Sequence, residues 1–457
     1  MLKKKVLVFC RPYLVNDFQK NIDGLSEEFE FKFITDGKKK GITDTRARFY
    51  ANLDSAPMVQ GFTQNDESNV ISRCRYLRNI PRSQAIQMLR SMALVLIEEL
   101  ESFQPDVVYS HMVDDYVTHL LAELSRLRGL MYVGIAYSYF PGKMQITQYG
   151  YGLPLDIREP EEEEIRTVLE QISKPKFRQN YLQADTYTPL RHLKAMIRYR
   201  VKQIVFAVKG RLENDPLHMH YACLPFVVER RRWRDFPNAE DFHGDWRSRI
   251  NTMGHQSGKP IIYIPLSYIP EATSDYWMKN LKTLRYQELV IEICKELSPH
   301  FCIVVKEHLH MLGARDSDFY KTLVNLEGVI SVPAMEFSND VLAMVDVVLM
   351  GAGSIGVEAY LRGKAIVSFS DQSYWFPYSN AAYIDVENVV SWPIIINNKI
   401  SSFKVPTEEE KYEFVRQCLR STMRQGQQGI TWHHCDKKDL IAGLNKVINS
   451  SSGKLTY

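Results

Sequence analysis

Four short segments of this chain bring together side chains able to do chemistry. Val304-Val-Lys306-Glu307-His308, followed by His310 and Arg315, ends an apolar run with cations, a carboxylate and imidazoles. Lys and Arg suit phosphate or carboxylate, and His donates to phosphate or shuttles a proton. Met350-Gly-Ala-Gly-Ser-Ile-Gly356 is a Gly-x-Gly-x-x-Gly loop. Its glycines permit a tight turn and close backbone approach, and Ser354 and Glu358 lie one helical turn apart, suited to phosphate and ribose hydroxyls. His111-Met-Val-Asp114-Asp115 carries adjacent carboxylates. Such pairs split roles in catalysis, one ionised and one with a raised pKa, but an Asp ahead of an apolar helix is equally what N-capping requires. Pro270-Glu271, just past another apolar run, is placed to project a carboxylate into a cleft or to make an ordinary turn.

These segments need elements that hold them. The first half alternates strand-like and helix-like runs. Val6–Cys10 reads as a strand, Arg82–Phe103 as a helix, Asp106–Ser110 as a strand, Tyr116–Leu127 as a helix and Met131–Ala136 as a strand. After a polar, Gly-containing stretch at 251–258 a second series starts. Strands are expected at Pro260–Leu266, Phe301–Val305, Val329–Val332 and Ala365–Phe369, with helices at Leu281–Leu297, Asp316–Leu326 and Ile355–Arg362. Alternation with short loops implies parallel sheets covered by helices. The expected architecture is α/β, with two Rossmann-like domains facing a cleft. The boundaries are an N-terminal α/β domain at 1–250 on the acceptor side, with a basic helical insertion at about 160–240; a linker at 251–258; a nucleotide-binding domain at 259–405; and a helical tail at 406–457.

Composition narrows the function classes. The chain has 457 residues, 45% hydrophobic and 24% charged, so disorder, collagen and coiled coil are excluded as the dominant state. A net charge of +3 does not suit a dedicated nucleic-acid binder. Seven cysteines with no Cys-x-x-Cys suit a reducing compartment and argue against a structural zinc site. His433-His434-Cys435 is the one dense ligand-type cluster, and it reads as a surface segment because adjacent residues point to different sides. The apolar run near the N-terminus stops at Arg11 and Pro12, too short for a signal sequence. No run approaches the roughly 18 apolar residues of a spanning helix.

The balanced charge hides a basic stretch. From Arg191 to Arg211 there are Arg191, Lys194, Arg198, Arg200, Lys202, Lys209 and Arg211, and no acidic residue. Leu193, Met196, Ile197, Val201, Ile204, Val205 and Val208 form an apolar stripe at helical spacing. Such a helix either covers the first domain with its charges in water, or lies against an anionic membrane surface. Glu229-Arg-Arg-Arg-Trp-Arg234 adds a second basic run.

Residues 259–372 resemble the bacterial capsule and surface polysaccharide biosynthesis glycosyltransferases, which include transferases using CMP-activated Kdo and, more distantly, sialic acid. The resemblance lies in Pro265-Leu-Ser-Tyr-Ile-Pro-Glu-Ala-Thr273, Val305-Lys-Glu-His308, Arg315 with Phe319-Tyr320, Gly353-Ser-Ile-Gly-Val-Glu-Ala359 and Arg362-Gly-Lys364, in that order and spacing. The chain departs from the family pattern at Leu309, where the family often has Pro, and at Ser267 and Ile269, where it often has His and Gln. The resemblance implies a GT-B architecture and a sugar, Kdo or a related acidic one, moved from a CMP-linked donor to a capsule or lipopolysaccharide glycan. It implies a nucleotide-sugar co-substrate with no separate cofactor or metal, and a cytoplasmic enzyme, peripheral at the inner membrane, with a glycan or glycolipid acceptor. His308 would lie on the donor phosphate, with Lys306, Glu307, Arg315, Gly353, Ser354 and Glu358 around the donor. Asp114, Asp115 or Glu271 would be the catalytic carboxylate. Arg191, Lys194, Arg198, Arg200 and Lys202 would meet the membrane. Two other readings stay open: an NAD-dependent oxidoreductase using Gly351–Gly356, with Asp371 closing the following strand, and a non-catalytic glycan-binding protein of the same fold.

Overall fold

A computed structural model describes residues 3–174, 177, 188–217, 232–425 and 435–451. The chain folds as two compact units. Unit 1 comprises Met1–Pro160, Lys202–Val228 and Cys418–Tyr457, and unit 2 comprises Glu161–Val201 and Glu229–Gln417.

Unit 1 is built on β1 (Lys4–Phe9), β2 (Phe29–Thr35), β3 (Thr43–Asp44), β4 (Val107–His111), β5 (Met131–Tyr137), β6 (Lys143–Gln148) and, from the end of the chain, β13 (Thr422–Arg424). The order across the sheet is β13-β6-β5-β4-β1-β2-β3. β3 to β5 are parallel across the sheet, while β6 and β13 add antiparallel edges. β4 and the Val6–Phe9 part of β1 are buried on both faces, as strands between two helical layers must be. Val6, Val8, Val107, Tyr109, Val133 and Ile135 form the core on one side together with Leu440, Leu444 and Val447 from the closing helix, Lys437–Ser451.

Unit 2 contains β7 (Ile261–Pro265), β8 (Cys302–Lys306), β9 (Val329–Val332), β10 (Val347–Met350), β11 (Ala365–Ser368) and β12 (Ala382–Tyr383). All six are parallel, in the order β12-β11-β10-β7-β8-β9. The expectation of two parallel α/β sheets therefore holds.

The expected boundaries do not hold. Residues 251–258 are no linker: the Trp246–Ile250 helix runs on into a π-helical turn at Asn251–His255. Trp246 and Ile250 are buried, and a Cβ at Gly254 would come within 2.7 Å of the Ile261 side chain, so this segment is packed on unit 2. The first domain does not reach residue 250 either. His243 pairs with Ser331 of β9, its amide donating to the Ser331 carbonyl (2.7 Å) and its Nδ1 accepting from the Ser331 amide (3.0 Å). The expected helical tail at 406–457 does carry the helices Glu408–Arg420 and Lys437–Ser451, and between them β13 pairs with β6, while the last helix closes the unit 1 core.

Candidate functional site

In an open parallel sheet, ligands gather beyond the carboxyl ends of the strands, where the strand order reverses and the neighbouring loops part. Both units have such a point. In unit 1 the chain leaves β1 toward β2 and β3, then returns to place β4 on the other side, so the reversal lies between β1 and β4. In unit 2 it lies between β7 and β10. The loops leaving these strands carry most of the residues expected to do chemistry.

At unit 2, β8 ends on Lys306, and Glu307 and His308 follow. Glu307 is sequestered. Arg315 Nε donates to its Oε2 at 2.5 Å, Arg315 Nη2 to its Oε1 at 3.2 Å, and the Tyr320 hydroxyl to its Oε2 at 2.9 Å. Arg315 is fully buried, and its Nη2 also donates to the carbonyl of Ser267, in the loop after β7. Glu307 and Arg315, expected as donor-binding groups, are thus corrected to an internal strut tying the β7 and β8 loops together. Burial leaves them no open surface for a ligand, and each neutralises the other.

Lys306, His308 and the glycine loop remain. His308 is half-buried within ring-contact distance of Tyr268 (centroids 5.5 Å) and His310 (5.5 Å). Burial, then His310, Lys306 and Arg315, push its pKa down to about 3, so the imidazole is neutral. Its Nδ1 accepts from the His310 amide at 3.3 Å, which places the proton on Nε2 as a donor. Gly353 and Ser354 are half-buried in the loop after β10. Glu358 follows on the short helix Ile355–Leu361. Burial raises its pKa to about 7, against the opposing pull of Arg362 and Lys306. Gly356 has a packing reason: a Cβ there would meet Trp375 at 2.3 Å, and Trp375 Nε1 donates to the Gly353 carbonyl at 2.7 Å. Asp371 pairs with Lys279 at 2.6 Å. Glu271 accepts from the Thr273 hydroxyl at 2.6 Å, and its own amide donates to Ser274 Oγ at 3.1 Å, so it shapes the turn that begins Ala272–Asp275.

At unit 1 the two carboxylates separate. Asp115 caps the Tyr116–Leu127 helix, Oδ1 accepting from the Thr118 amide and hydroxyl, both at 2.7 Å. Its side chain is 1% exposed, so capping is its role. Asp114 is 21% exposed and sits between Arg11 Nη2 (2.9 Å) and His111 Nε2 (3.0 Å). Burial would raise its pKa, but Arg11 and then His111 overcome this and hold it far below the usual carboxylate range. The same Arg11 Nη2 reaches Asp115 at 2.6 Å. Arg11 was visible only as the residue that ended an apolar run. Its position two residues beyond β1, the strand at the reversal, is the signal that marks it.

A cleft of about 650 Å³ also opens on unit 1, lined by Asp44, Arg46, Tyr50, Arg211, Glu213 and Asp215 among others. Arg46 pairs there with Asp44 (2.7 Å) and Glu213 (3.3 Å), and the Tyr50 hydroxyl donates to Asp215 (2.5 Å).

The basic segment is one helix, Pro189–Leu212. Its apolar stripe is exposed. Leu190, Leu193, Ile197, Val201, Ile204, Val205, Val208 and Leu212 are between 40% and 80% exposed, while His192, on the opposite side, is buried. Arg191, Lys194, Arg198, Arg200 and Lys202 are exposed along the stripe's flanks. Among the described residues no helix is long and apolar enough to cross a membrane, and no group of three or more His, Cys, Asp and Glu is gathered to hold a metal ion. His433 and His434 lie outside the described residues, as do Glu229–Arg231. Cys435, expected on the surface, is buried, its amide donating to Asn21 Oδ1 at 3.2 Å.

No protein-family model matches the chain, and no curated protein matches it. Among solved structures it is similar to a β-Kdo 2,7 transferase, KpsC, of Thermosulfurimonas dismutans (10% identity, 98% of this chain and 99% of that one, TM-score 0.38). It is also similar to the UDP-GlcNAc 2-epimerase of Methanocaldococcus jannaschii (13%, 91% and 99%, TM-score 0.28) and to an α,α-trehalose 6-phosphate synthase of Burkholderia multivorans (10%, 100% and 100%, TM-score 0.32). Superpositions this loose carry no argument about the site, which rests on the chain's own strands and side chains.

Arg315→Ala leaves the buried Glu307 carboxylate without its cation, and is expected to cost about 3–5 kcal/mol of stability. Chemical denaturation measures it; an effect near zero would contradict the strut.

Proposed function

We propose that the chain is a nucleotide-sugar-dependent glycosyltransferase of GT-B type, moving Kdo or a related acidic sugar from a CMP-linked donor to a capsule or lipopolysaccharide glycan. The observation that carries this reading is the set of groups at the reversal in unit 2. A cation (Lys306, buried at the end of β8), a neutral imidazole with its proton on Nε2 (His308), a hydroxyl (Ser354) and a carboxyl near half-ionisation (Glu358) stand at the end of β8 and on the loop and helix that follow β10. Lys306 and the His308 Nε2–H suit a departing nucleotide phosphate, whose growing charge they would stabilise. Ser354 and Glu358 suit the sugar hydroxyls of the nucleoside.

Of the three candidate carboxylates, Asp114 fits the reacting group best, since Asp115 is a buried cap and Glu271 is bound into a turn. Held ionised by Arg11 and His111, it suits a nucleophile or an electrostatic partner for positive charge developing on the sugar. The charged cleft on unit 1 suits a polyhydroxylated acceptor. The exposed apolar stripe of Pro189–Leu212, flanked by cations, suits an anionic membrane carrying a lipid-linked acceptor. An oxidoreductase reading fits less well. The glycine loop follows β10 rather than β7, the first strand of its sheet, and Asp371, the acidic residue that reading needs for a ribose, is paired with Lys279.

Two measurements test these proposals. In a thermal-shift screen of CMP, CDP, UDP, GDP and NAD, CMP is expected to raise Tm, and His308→Ala to remove most of that rise; stabilisation by NAD alone would overturn the reading. In vesicle co-sedimentation, binding is expected to phosphatidylglycerol-containing vesicles and not to phosphatidylcholine. Reversing Arg198, Arg200 and Lys202 to Glu is expected to weaken it at least about 100-fold, at roughly 1 kcal/mol per cation removed. Equal binding to both lipids, or none to either, would remove the membrane role.

A further inference from the structure

Asp36 has no part in the reading above, yet it stands at the same edge of the sheet as Arg11 and Asp114. It directly follows β2, the strand beside β1. The loops after these two strands are pressed together, for a Cβ at Gly37 would come within 2.4 Å of the Pro12 ring. Asp36 is 1% exposed, and among the described residues neither of its carboxylate oxygens has a hydrogen-bond partner in another residue. A carboxylate ion placed so would be among the costliest groups a protein can bury.

Its surroundings supply one counter-charge, and that one is already shared. Arg11 faces it from the loop after β1, together with Cys10 and Tyr13. Asp115 and Tyr116 face it from the start of the Tyr116–Leu127 helix, and Asp215 from the segment after Pro189–Leu212. Lys39, further along its own loop, acts on the same Cys10. Arg11 is already committed, through one nitrogen, to Asp114 and Asp115. His111 and Arg75 also act on Asp114, but Asp36 and Asp115, each 1% exposed, are left with Arg11, and one guanidinium already shared does not neutralise a further buried carboxylate.

We propose that Asp36 is a positioning residue that stays protonated, so that Arg11 is shared by Asp114 and Asp115 alone and Asp114 is held in place for its reaction. Ionising Asp36 would add a third claimant on Arg11 and loosen its hold on Asp114. The balance of charges agrees: burial first, with Asp115 and Asp215, raises the Asp36 pKa to about 7 despite Arg11 and its own amide. The site would then work at neutral and mildly acidic pH and fail above it. The proposal rests on Asp114 being the reacting carboxylate, but its test does not.

A carboxyl whose pKa is higher in the folded than in the unfolded protein costs stability as pH rises. The cost grows from the unfolded value of about 4 and levels off above the folded value of about 7. Asp36→Asn, which mimics the protonated acid, removes that cost. Its Tm relative to wild type is expected to improve between pH 5 and pH 8.5, by about 4 °C or more. A Tm gap that is constant, or that widens against the variant, would overturn the proposal. The infrared difference between wild type and variant should show a carboxylic-acid C=O band at pH 5.5 that vanishes at pH 9; a carboxylate band at both would also overturn it. Should Asp36→Asn not fold, Asp36→Ser serves in both measurements. In a transfer assay, wild-type kcat should fall above pH 7 with KM unchanged, and that fall should be absent from Asp36→Asn. Superimposable pH profiles would reduce Asp36 to a structural group. If no sugar transfer is found, the Tm and infrared results still decide the state of Asp36, and only the Asp114 reading fails.

Discussion

The order of strands in each sheet decides where this protein can hold a ligand. A parallel sheet wound in one direction from its first strand and then in the other must part its loops at one place. There, backbone and side chains at the carboxyl edge are left without neighbours from the next crossover. In unit 1 that place is flanked by β1 and β4, and in unit 2 by β7 and β10. Arg11, His111 and Asp114 lie at the first, the Ser267 loop and Gly351–Glu358 at the second, and Lys306 and His308 on the strand next to it. Arg11 and His111 are buried there, and are tolerated because both pair with Asp114.

Both units hold this rim with a buried arginine. Arg315 joins Glu307 at the end of β8 to the Ser267 carbonyl after β7. Arg11, two residues beyond β1, joins the carboxylates that follow β4. In each case a guanidinium, with several donors in a fixed fork, spans two segments just beyond paired strands. The difference lies in what is left over. Arg315 and Glu307 neutralise each other, with Lys306 buried beside them and His308 half-buried. Arg11 divides one nitrogen between two carboxylates, of which Asp114 keeps an exposed edge. The same device therefore yields a closed strut in one unit and a charged, partly open site in the other.

Much of this was legible in the sequence, and the rest has physical reasons for being hidden. Arg82–Phe103 and Val329–Val332 have the limits that their periodicity predicts, because apolar spacing over a helix or a buried strand is a local property. The residues at the rim of unit 2 were visible because each follows a strongly apolar run. Their roles were not. Whether Glu307 and Arg315 face a ligand or each other depends on how a loop folds back, and spacing does not encode that. Asp36 was missed with its strand. Phe29, Phe31 and Phe33 alternate as a strand should, but Glu30 and Lys32 between them mask an apolar run. The linker at 251–258 was misread because Gly, Ser and Asn in a polar stretch also suit a short helix capped against a sheet. The closing helix joined the first core through long-range contacts that no local pattern announces. The Pro189–Leu212 stripe was plain in the sequence; its exposure was not, since a periodic stripe has the same spacing whether it is covered or bare.

Hydrogen–deuterium exchange of the whole chain, with and without CMP, tests most directly the claim that the reversal between β7 and β10 sets the nucleotide site. Protection should appear in the loops at 266–274, 306–312 and 351–358, and leave the antiparallel edge at β6 and β13 unchanged. Protection confined to other segments, with these three loops exchanging as they do without nucleotide, would contradict the account.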